Sequence, residues 1–323
     1  MRLPPEFSTD ERVNEGVRLL LRHTAGGRVR FVTDSEYIIV RAVIENPDNH
    51  PHMPSTGTYG IDLYERPFGA NTKPRYAAIF IPHLEKDGKS FCASYRFKSK
   101  KLRELTINLP LYSGLKELYI GLNDRASLQE AAPYTYQKPI VFYGSSITQG
   151  GCASRPGASY SSILSRMLDA DIINLGFSGS ACGEPALAEY IADISMSAFV
   201  LDYDFNARTL EQLIETHYPF YETVRKKNPM LPIIMMTAPV AAPARNVVSG
   251  KAFKRSRAII MESYLKALNS GDENVYFVDG EALIGDMAAE ENLVDGTHPT
   301  DGGFRNMADR LYPILEYAIG GTK

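Results

Sequence analysis

Two residues near the carboxyl terminus have the types and the spacing of an acid–base pair. Asp295 and His298 lie three residues apart in the loop Leu293-Val-Asp-Gly-Thr-His-Pro299. A short loop that contains glycine can bring the carboxylate against the imidazole, where it holds the ring tautomer and stabilises the imidazolium. The remaining histidines lie in a β-rich stretch or inside a predicted helix, where a structural role is the commoner interpretation: His23, His50, His52, His83 and His217. We therefore expect Asp295 and His298 to act together as a general base.

A serine-rich turn is the candidate for the nucleophile that such a base would serve. The stretch Tyr143-Gly-Ser-Ser-Ile-Thr-Gln-Gly150 follows an apolar run, and it can expose a hydroxyl and backbone N–H groups at the end of a strand. Taken alone, it fits a purely structural turn equally well. A serine hydroxyl is a poor nucleophile near neutral pH and needs a neighbouring base. The functional interpretation therefore depends on the Asp295–His298 loop lying beside this turn.

Two further loops carry groups that could stabilise an oxyanion. Gly176-Phe-Ser-Gly179 contains glycines, which permit positive φ and close backbone approach and so suit an N–H donor facing a cleft. Asn206 could donate its side-chain N–H, although an asparagine as often shapes its own turn. Each preorganised donor contributes about 3 kcal/mol to the stabilisation of a tetrahedral intermediate. Together, the four loops favour acyl transfer through a serine nucleophile.

The order of the predicted elements places these loops at one edge of a sheet. From residue 139 onward, apolar runs typical of buried strands alternate with amphipathic runs typical of helices. This alternation predicts a parallel sheet covered on both faces, with reactive groups beyond the carboxyl ends of its strands. The predicted strands are 140–143, 172–175, 198–203, 233–237 and 275–278. The predicted helices are 160–168, 185–194, 210–226, 253–268 and 303–318.

The first 135 residues have a different pattern. Short strand-like runs are separated by clusters of Gly, Pro, Asn and Asp, which is typical of an antiparallel β-sandwich. Those runs are 28–33, 37–44, 76–81, 105–109 and 118–122, and only residues 8–22 have a helical pattern. The sequence therefore predicts a β-sandwich accessory domain over residues 1–135 and an α/β catalytic domain over residues 136–323.

The four loops resemble the four blocks of the SGNH (GDSL-like) hydrolases. Gly144-Ser-Ser-Ile147 is similar to the first block, G-D-S-[LI], which maps the nucleophile to Ser146. Gly179 and Asn206 are similar to the glycine and asparagine of the second and third blocks, and Asp295-Gly-Thr-His298 is similar to the D-x-x-H block. The resemblance implies a flavodoxin-like three-layer sheet, a Ser146–His298–Asp295 triad, and an oxyanion hole formed by the Ser146 N–H, the Gly179 N–H and the Asn206 amide.

The β-rich first part carries its own signature. Gly60-Ile-Asp-Leu-Tyr64 matches the G-x-D-L-Y motif of a domain that precedes a subset of these hydrolases. Asp62 lies between apolar neighbours in a strand, and we interpret it as structural rather than catalytic. Because ligand sites favour domain interfaces, this domain could also wall the cleft and hold part of the substrate.

Three positions depart from the family pattern. Ser145 replaces the usual Asp of the first block, Asp204 replaces the usual Gly of the third block, and Ala207 replaces its usual Asp. An acid beside the oxyanion hole could change substrate preference. We therefore predict that Asp204 and Ser145 contact the substrate.

The resemblance implies a serine esterase that works by double displacement without a metal or an organic cofactor. Members with sandwich-like N-terminal domains often deacetylate sugars or polysaccharides, so a short acyl group on a carbohydrate is the expected substrate. An acyltransferase or a thioesterase could use the same residues. A carbohydrate-binding protein with a silent hydrolase domain is a further alternative, against which the intact Ser146, Asp295 and His298 argue.

Composition excludes several other classes of protein. The net charge is −3 and the Lys and Arg residues are scattered, which argues against a nucleic acid or an anionic membrane as the partner. The three cysteines form no C-x-x-C pair, so neither a disulfide framework nor a thiolate metal site is expected. No second histidine is expected near His298, which argues against a metallohydrolase.

The N-terminal residues lack an apolar h-region, which predicts a cytoplasmic protein. The sequence indicates neither the alcohol half of the substrate nor the oligomeric state.

Overall fold

The first part of the chain forms two antiparallel sheets. The computed structural model describes residues 1–47, 49–239, 253–285 and 289–320. The eight strands of the two sheets within these ranges are β1 (Arg28–Thr33), β2 (Tyr37–Glu45), β3 (Ile61–Pro67), β4 (Arg75–Phe80), β5 (Ser90–Arg96), β6 (Arg103–Asn108), β7 (Gly114–Gly121) and β8 (Leu128–Glu130). One sheet has the order β4-β3-β6-β1-β8 and the other β5-β2-β7. The predicted β-sandwich is confirmed.

The alternation of side chains along β2 explains why these sheets pack face to face. Ile38, Val40, Ala42 and Ile44 are each 0% exposed, whereas the residues between them lie on the other face of the strand and are at least partly exposed. This period of two is that of a strand with one face in a core. The buried residues pack with Phe80, Phe91 and Ile107 between the sheets.

The second part of the chain forms the predicted parallel sheet. Its strands are β9 (Tyr136–Gly144), β10 (Ala170–Gly176), β11 (Ala198–Asp202), β12 (Ile233–Met236) and β13 (Val275–Val278). All neighbours are parallel, and the order is β10-β9-β11-β12-β13. With β9 counted as the first strand, this is the 2-1-3-4-5 order of flavodoxin-like sheets. The predicted fold class is confirmed.

Helices cover both faces of this sheet. The α-helices within the described ranges are α1 (Glu15–Leu20), α2 (Ser55–Thr58), α3 (Ser146–Gln149), α4 (Tyr160–Leu168), α5 (Pro185–Ala192), α6 (Leu210–Lys227), α7 (Phe253–Asn269) and α8 (Asp301–Gly320). Ile140 and Phe142 of β9 pack in one core with residues of α4 and α8. Val141 and Tyr143 point to the opposite face, where they pack with residues of α5, α6 and α7. The result is a three-layer arrangement that leaves the carboxyl ends of the strands open for a site.

The predicted helix over residues 8–22 is wrong in extent. A 3-10 helix spans Pro5–Ser8, and α1 covers only Glu15–Leu20. Asp10 accepts the backbone N–H of Arg12 at 2.9 Å, a local turn that competes with helix formation. Asn14 then accepts the backbone N–H of Val17 at 3.0 Å and so caps the helix at its start.

The N-terminal segment packs on the parallel sheet rather than on the sandwich. Leu3, Phe7, Val13 and Val17 belong to the same core as Val141 and Tyr143. A division of the chain at residue 135 therefore does not separate the hydrophobic cores. The N-terminal segment, although it precedes the sandwich, packs in the helical layer of the second part.

Asp62 ties the sandwich to the α/β part. It is 0% exposed, its Oδ1 accepts from Asn108 Nδ2 at 2.7 Å, and its Oδ2 accepts from the backbone N–H of Gly157 at 2.7 Å. Burial is the largest influence on this carboxyl, and it raises the pKa of Asp62 to about 6. These contacts agree with the interpretation of Asp62 as a structural residue.

Across the described ranges, no helix is both long enough and apolar enough to span a bilayer.

Candidate active site

A tight turn after β9 presents the candidate nucleophile. Gly144 ends the strand and Ser146 begins α3. A Cβ atom at residue 144 would lie 2.2 Å from Thr148 Oγ1 and 2.3 Å from the carbonyl oxygen of Asp202, so only glycine fits there. The hydroxyl of Ser145 accepts the backbone N–H of Ile147 at 3.2 Å and caps the short helix. The sequence therefore forces a sharp strand-to-helix turn at Ser146.

Ser146, His298 and Asp295 form a continuous hydrogen-bonded chain. His298 Nε2 lies 2.9 Å from Ser146 Oγ, and His298 Nδ1 lies 2.7 Å from Asp295 Oδ2. Because a carboxylate can only accept, Nδ1 carries the proton, and Nε2 is left with a lone pair directed at the serine hydroxyl. The structure thus brings together all three residues that were predicted as a triad, although 149 residues separate Asp295 from Ser146 along the chain.

The carboxylate of Asp295 is held in place by its own loop. Its Oδ1 accepts the backbone N–H groups of Thr297 at 3.0 Å and His298 at 2.8 Å. Partial burial works toward a higher pKa, but the hydrogen bonds from His298 and Thr297 outweigh it and hold the pKa of Asp295 below its usual value. Asp295 is therefore ionised near neutral pH and can stabilise an imidazolium.

The backbone of Ser146 is fixed by residues on both sides of it. Its carbonyl oxygen accepts the N–H of Gly151 at 2.8 Å and the hydroxyl of Tyr112 at 3.2 Å. Tyr112 belongs to the first part of the chain and is buried. A Cβ atom at residue 151 would lie 2.9 Å from Tyr112 Oη and 3.0 Å from His298 Cδ2, so the turn, the tyrosine and the imidazole meet at one point.

The loop after β10 offers a backbone donor. Gly179 has φ +65°, a conformation that favours glycine. Its N–H donates to no acceptor in the described part of the chain, and neither does that of Ser146 at the start of α3. Gln149 Oε1 accepts the N–H of Ser178 at 3.0 Å, which fixes this loop to the nucleophile helix.

Asn206 connects the loop after β11 to the loop after β10. Its Nδ2 donates to the carbonyl oxygen of Phe177 at 2.9 Å, and the residue is buried. The amide has a second N–H, which remains available for an oxyanion. Asn206 therefore bonds to the neighbouring loop rather than to its own turn.

Ser145 and Asp204, which were predicted to contact the substrate, lie in the interior of the protein. Both are buried, at 1% and 3% exposure. The Ser145 hydroxyl caps α3, and Asp204 Oδ2 accepts the N–H of Ala238 at 3.2 Å. The Ser145 hydroxyl and Oδ2 of Asp204 are therefore engaged within the protein. Burial, and next the charge of Asp204, raise the pKa of Asp202 well above its usual value, and its Oδ2 accepts from Thr148 Oγ1 at 2.8 Å.

The expectation that no second histidine lies near His298 is wrong. The ring of His52 is 5.5 Å from the ring of His298, measured between centroids. The Sγ of Cys152 donates to the carbonyl oxygen of His52 at 3.4 Å. This contact arises because the loops of the first part dock on the segment after α3: the hydroxyl of Thr56 donates to the carbonyl oxygen of Ser154 at 2.6 Å.

Sequence reasoning therefore missed Tyr112, Gln149 and His52. Tyr112 and His52 lie in the β-rich part, and nothing in their local sequence shows which side of the sandwich meets the second part. Gln149 stands in the serine-rich stretch 143–150, three residues after Ser146, so its position was a signal that a residue there contacts the site.

Comparisons with known proteins match both parts of the chain to known family models. Residues 137–316 match the model of the GDSL-like lipase/acylhydrolase family, and residues 1–128 match the model described as the N-terminus of SGNH-hydrolase-type esterases. No curated protein sequence matches the chain.

Three solved structures are similar over nearly the whole chain. A protein from Bacteroides ovatus described as a GDSL-like lipase is 30% identical with a TM-score of 0.85, covering 98% of this chain and 90% of that one. A salicylyl-acyltransferase from a tetracycline biosynthetic pathway is 21% identical with a TM-score of 0.78, covering 99% and 89%. A family two carbohydrate esterase from Clostridium thermocellum, in complex with cellohexaose, is 14% identical with a TM-score of 0.65, covering 92% and 94%. The last two show a shared fold. From the match over residues 137–316, the chain belongs to the GDSL-like lipase/acylhydrolase family and is an esterase of the SGNH type.

Proposed function

We propose that the chain is a serine esterase that removes a short acyl group, most simply acetyl, from a carbohydrate ester. The observation that carries the proposal is the hydrogen-bonded chain from Ser146 Oγ through His298 to Asp295, with distances of 2.9 Å and 2.7 Å. Distances of this size are those at which a general base acts on a nucleophile.

The reaction proceeds by double displacement. His298 Nε2 takes the proton as Ser146 Oγ attacks the ester carbonyl, and the oxyanion is held by the N–H groups of Ser146 and Gly179 and the Asn206 amide. The imidazolium then gives its proton to the leaving alcohol, which leaves an acyl group on Ser146. Water, activated by the same imidazole, attacks this ester and releases the acid and the free serine.

The carbohydrate part of the proposal rests on a comparison and on the architecture of the chain. It comes from the shared fold with a carbohydrate esterase that was solved in complex with cellohexaose, and from the sandwich that precedes the α/β part here. The sandwich loops reach the site through Tyr112 and His52, so they can contact the alcohol half of a substrate.

Acyl transfer is the second candidate. A salicylyl-acyltransferase has a TM-score of 0.78 to this chain, against 0.65 for the carbohydrate esterase, so the architecture is shared by an enzyme that passes an acyl group to another molecule. The same acyl-enzyme serves both reactions, and only the acceptor differs.

An ester panel separates these candidates. Acyl length and leaving group are varied, from p-nitrophenyl acetate to acetylated oligosaccharides, and products are measured with and without added alcohols. We expect the highest kcat/KM for acetyl esters of sugars, with free acetate as the product and no turnover by Ser146→Ala. Preference for long acyl chains would contradict the substrate class, and predominant acyl transfer to an alcohol would favour the second candidate.

A further inference from the structure

A set of side chains of the types that bind zinc surrounds the candidate catalytic histidine. Ligand atoms of His52, Cys152, Asp295 and His298 all lie within 4.8 Å of one another. The set draws on three separate segments: a turn of the sandwich part, the segment that follows α3, and the Asp295–His298 loop. Catalysis by Ser146 needs neither His52 nor Cys152, so the proposed mechanism leaves half of this set unexplained.

We propose that these four residues form a site for a thiophilic divalent cation such as Zn²⁺, and that the bound ion reversibly shuts off the esterase. Zn²⁺ is bound by Cys, His and Asp or Glu side chains, with four ligands in structural sites and bonds of about 2.0–2.3 Å. A tetrahedral ion with such bonds places its ligand atoms about 3.3–3.8 Å apart. The side chains must therefore close by about 1 Å, a movement that the exposed turn carrying His52 can supply.

The combination of ligands decides which ion fits. Thiolate and imidazole ligands select Zn²⁺, and its analogue Co²⁺, over Mg²⁺ and Ca²⁺, which prefer sites made of oxygen ligands. Cys152 is the discriminating ligand. The Cys152 thiol donates a hydrogen bond to the carbonyl oxygen of His52, so it carries a proton without an ion. Binding must displace this proton to solvent, and a coordinated thiol is deprotonated outright.

The bound ion inhibits the esterase whether it binds Nε2 or Nδ1 of His298. Nε2 carries the lone pair that accepts the proton of Ser146, and an ion there removes the base. Nδ1 donates to Asp295, and an ion there breaks the contact that fixes the tautomer. The inhibitory part of the inference rests on the proposed function, whereas binding of the ion does not.

Cobalt spectroscopy tests binding independently of activity. The full chain is freed of metal with a chelator and titrated with Co²⁺, and the thiolate-to-cobalt charge-transfer band is followed in the near ultraviolet. We expect a band that saturates at one ion per chain, is abolished by Zn²⁺ and is unaffected by excess Mg²⁺. Cys152→Ser should lose the band, whereas Cys92→Ser, which alters an exposed cysteine on β5, should keep it. Absence of the band in the wild type, or its persistence in Cys152→Ser, would overturn the site.

Zinc inhibition is then measured for each variant relative to its own zinc-free rate. We expect the concentration of Zn²⁺ that halves the rate to rise by at least about 100-fold in Cys152→Ser and in His52→Asn, more than is usual for loss of an outer-shell partner. Cys92→Ser should match the wild type. Equal inhibition of Cys152→Ser and wild type would overturn the proposal. Saturable, Cys152-dependent cobalt binding without inhibition would support the metal site and would overturn the inhibitory part of the proposal.

Discussion

The two carboxylate oxygens of Asp295 have different hydrogen-bond partners. Its Oδ1 accepts two N–H groups of its own loop, and its Oδ2 faces His298 Nδ1. The two oxygens therefore have separate tasks, one that holds the loop and one that selects the ring tautomer. A substitution that keeps the first task and removes the second tests the triad without disturbing the fold.

Asp295→Asn is that substitution. Its Oδ1 can still accept from Thr297 and His298, but its NH₂ group faces Nδ1 and favours the tautomer with the proton on Nε2. We expect kcat to fall by about a thousandfold or more, with a free energy of unfolding close to that of the wild type. Steady-state kinetics and urea denaturation measure the two quantities. A kcat within tenfold of the wild type would remove Asp295 from the mechanism.

Asn206→Ala tests the side-chain donor of the proposed oxyanion hole. Loss of one such donor lowers kcat by about 10²–10³-fold, because the interaction is made mainly in the transition state. KM should change little. The variant also loses the bond to the carbonyl oxygen of Phe177, so unfolding is measured in parallel. A loss of stability with an unchanged kcat would assign Asn206 to loop packing alone.

At this scale, the sequence predicts what is local and misses what depends on long-range packing. Asp295 and His298 share one loop, so their types and spacing were sufficient. His52 and Tyr112 reach the site only because the sandwich docks on the segment after Ser146. No local pattern distinguishes them from the other histidines and tyrosines of that part.

Among the elements, the short helix α3 is the one that positions the nucleophile. It is only four residues long, so it depends on its cap and on tertiary contacts rather than on helix propensity. Ser145 supplies the cap, and Gln149 anchors the helix to Leu111 of the first part through a bond of 3.0 Å.

Ser145→Ala removes the cap acceptor, and we expect the free energy of unfolding to fall by about 1 kcal/mol. Ser145→Asp places an acceptor at the same position, as the family usually has, and should lie closer to the wild type. Urea denaturation of the three proteins gives the comparison. Equal stability of Ser145→Ala and wild type would show that the bond to Ile147 contributes nothing.

The central strands of the parallel sheet were predicted closely because a strand buried on both faces is an apolar run, as in β11 and β12. The helix over residues 8–22 was not, because residues 9–12 are polar and Asp10 forms a local turn there. Hydrophobic periodicity shows which face of a helix is apolar. It does not show where the helix begins, which is decided here by the Asp10 turn and the Asn14 cap.

For the whole molecule, the main feature is how the two parts join. The last antiparallel strand ends at Glu130 and the first parallel strand begins at Tyr136. The predicted division after residue 135 lies between these two strands. The N-terminal segment nevertheless packs in a core of the second part, and Asp62 bonds to Gly157 across the junction. The composition of each part predicts its fold class, but only the three-dimensional structure shows these contacts.

The pKa of Asp62 makes the stability of this junction depend on pH. The folded value of about 6 lies above the ordinary value of 3.8, so the folded state holds the proton more tightly. Below about pH 3.8 the carboxyl is neutral in both states, and its contribution to stability falls as pH rises from 3.8 to 6, by up to about 3 kcal/mol. Asp62→Asn stays neutral and lacks this dependence.

We therefore expect the unfolding free energy of Asp62→Asn, minus that of the wild type, to increase between pH 4 and pH 7 in urea denaturation. Asp87→Asn is the control: its difference from the wild type should be constant between pH 4 and pH 7 and should increase as pH falls below about 3.8. Hydrogen bonds from Ser90 lower the pKa of Asp87 to about 2, so its contribution is present above pH 3.8 and is lost as pH falls toward 2. A difference for Asp62→Asn that is constant with pH would show that the pKa of Asp62 is not raised in the folded state.

The most direct test of the central claim is covalent labelling of the folded protein with a fluorophosphonate, followed by peptide mass spectrometry. A serine is phosphonylated rapidly only where a neighbouring base activates its hydroxyl. Labelling therefore identifies the nucleophile without knowledge of the substrate. We predict one adduct per chain on Ser146, none in Ser146→Ala, and a much slower reaction in His298→Ala. An adduct on another residue, or no adduct on folded wild-type protein, would contradict the account.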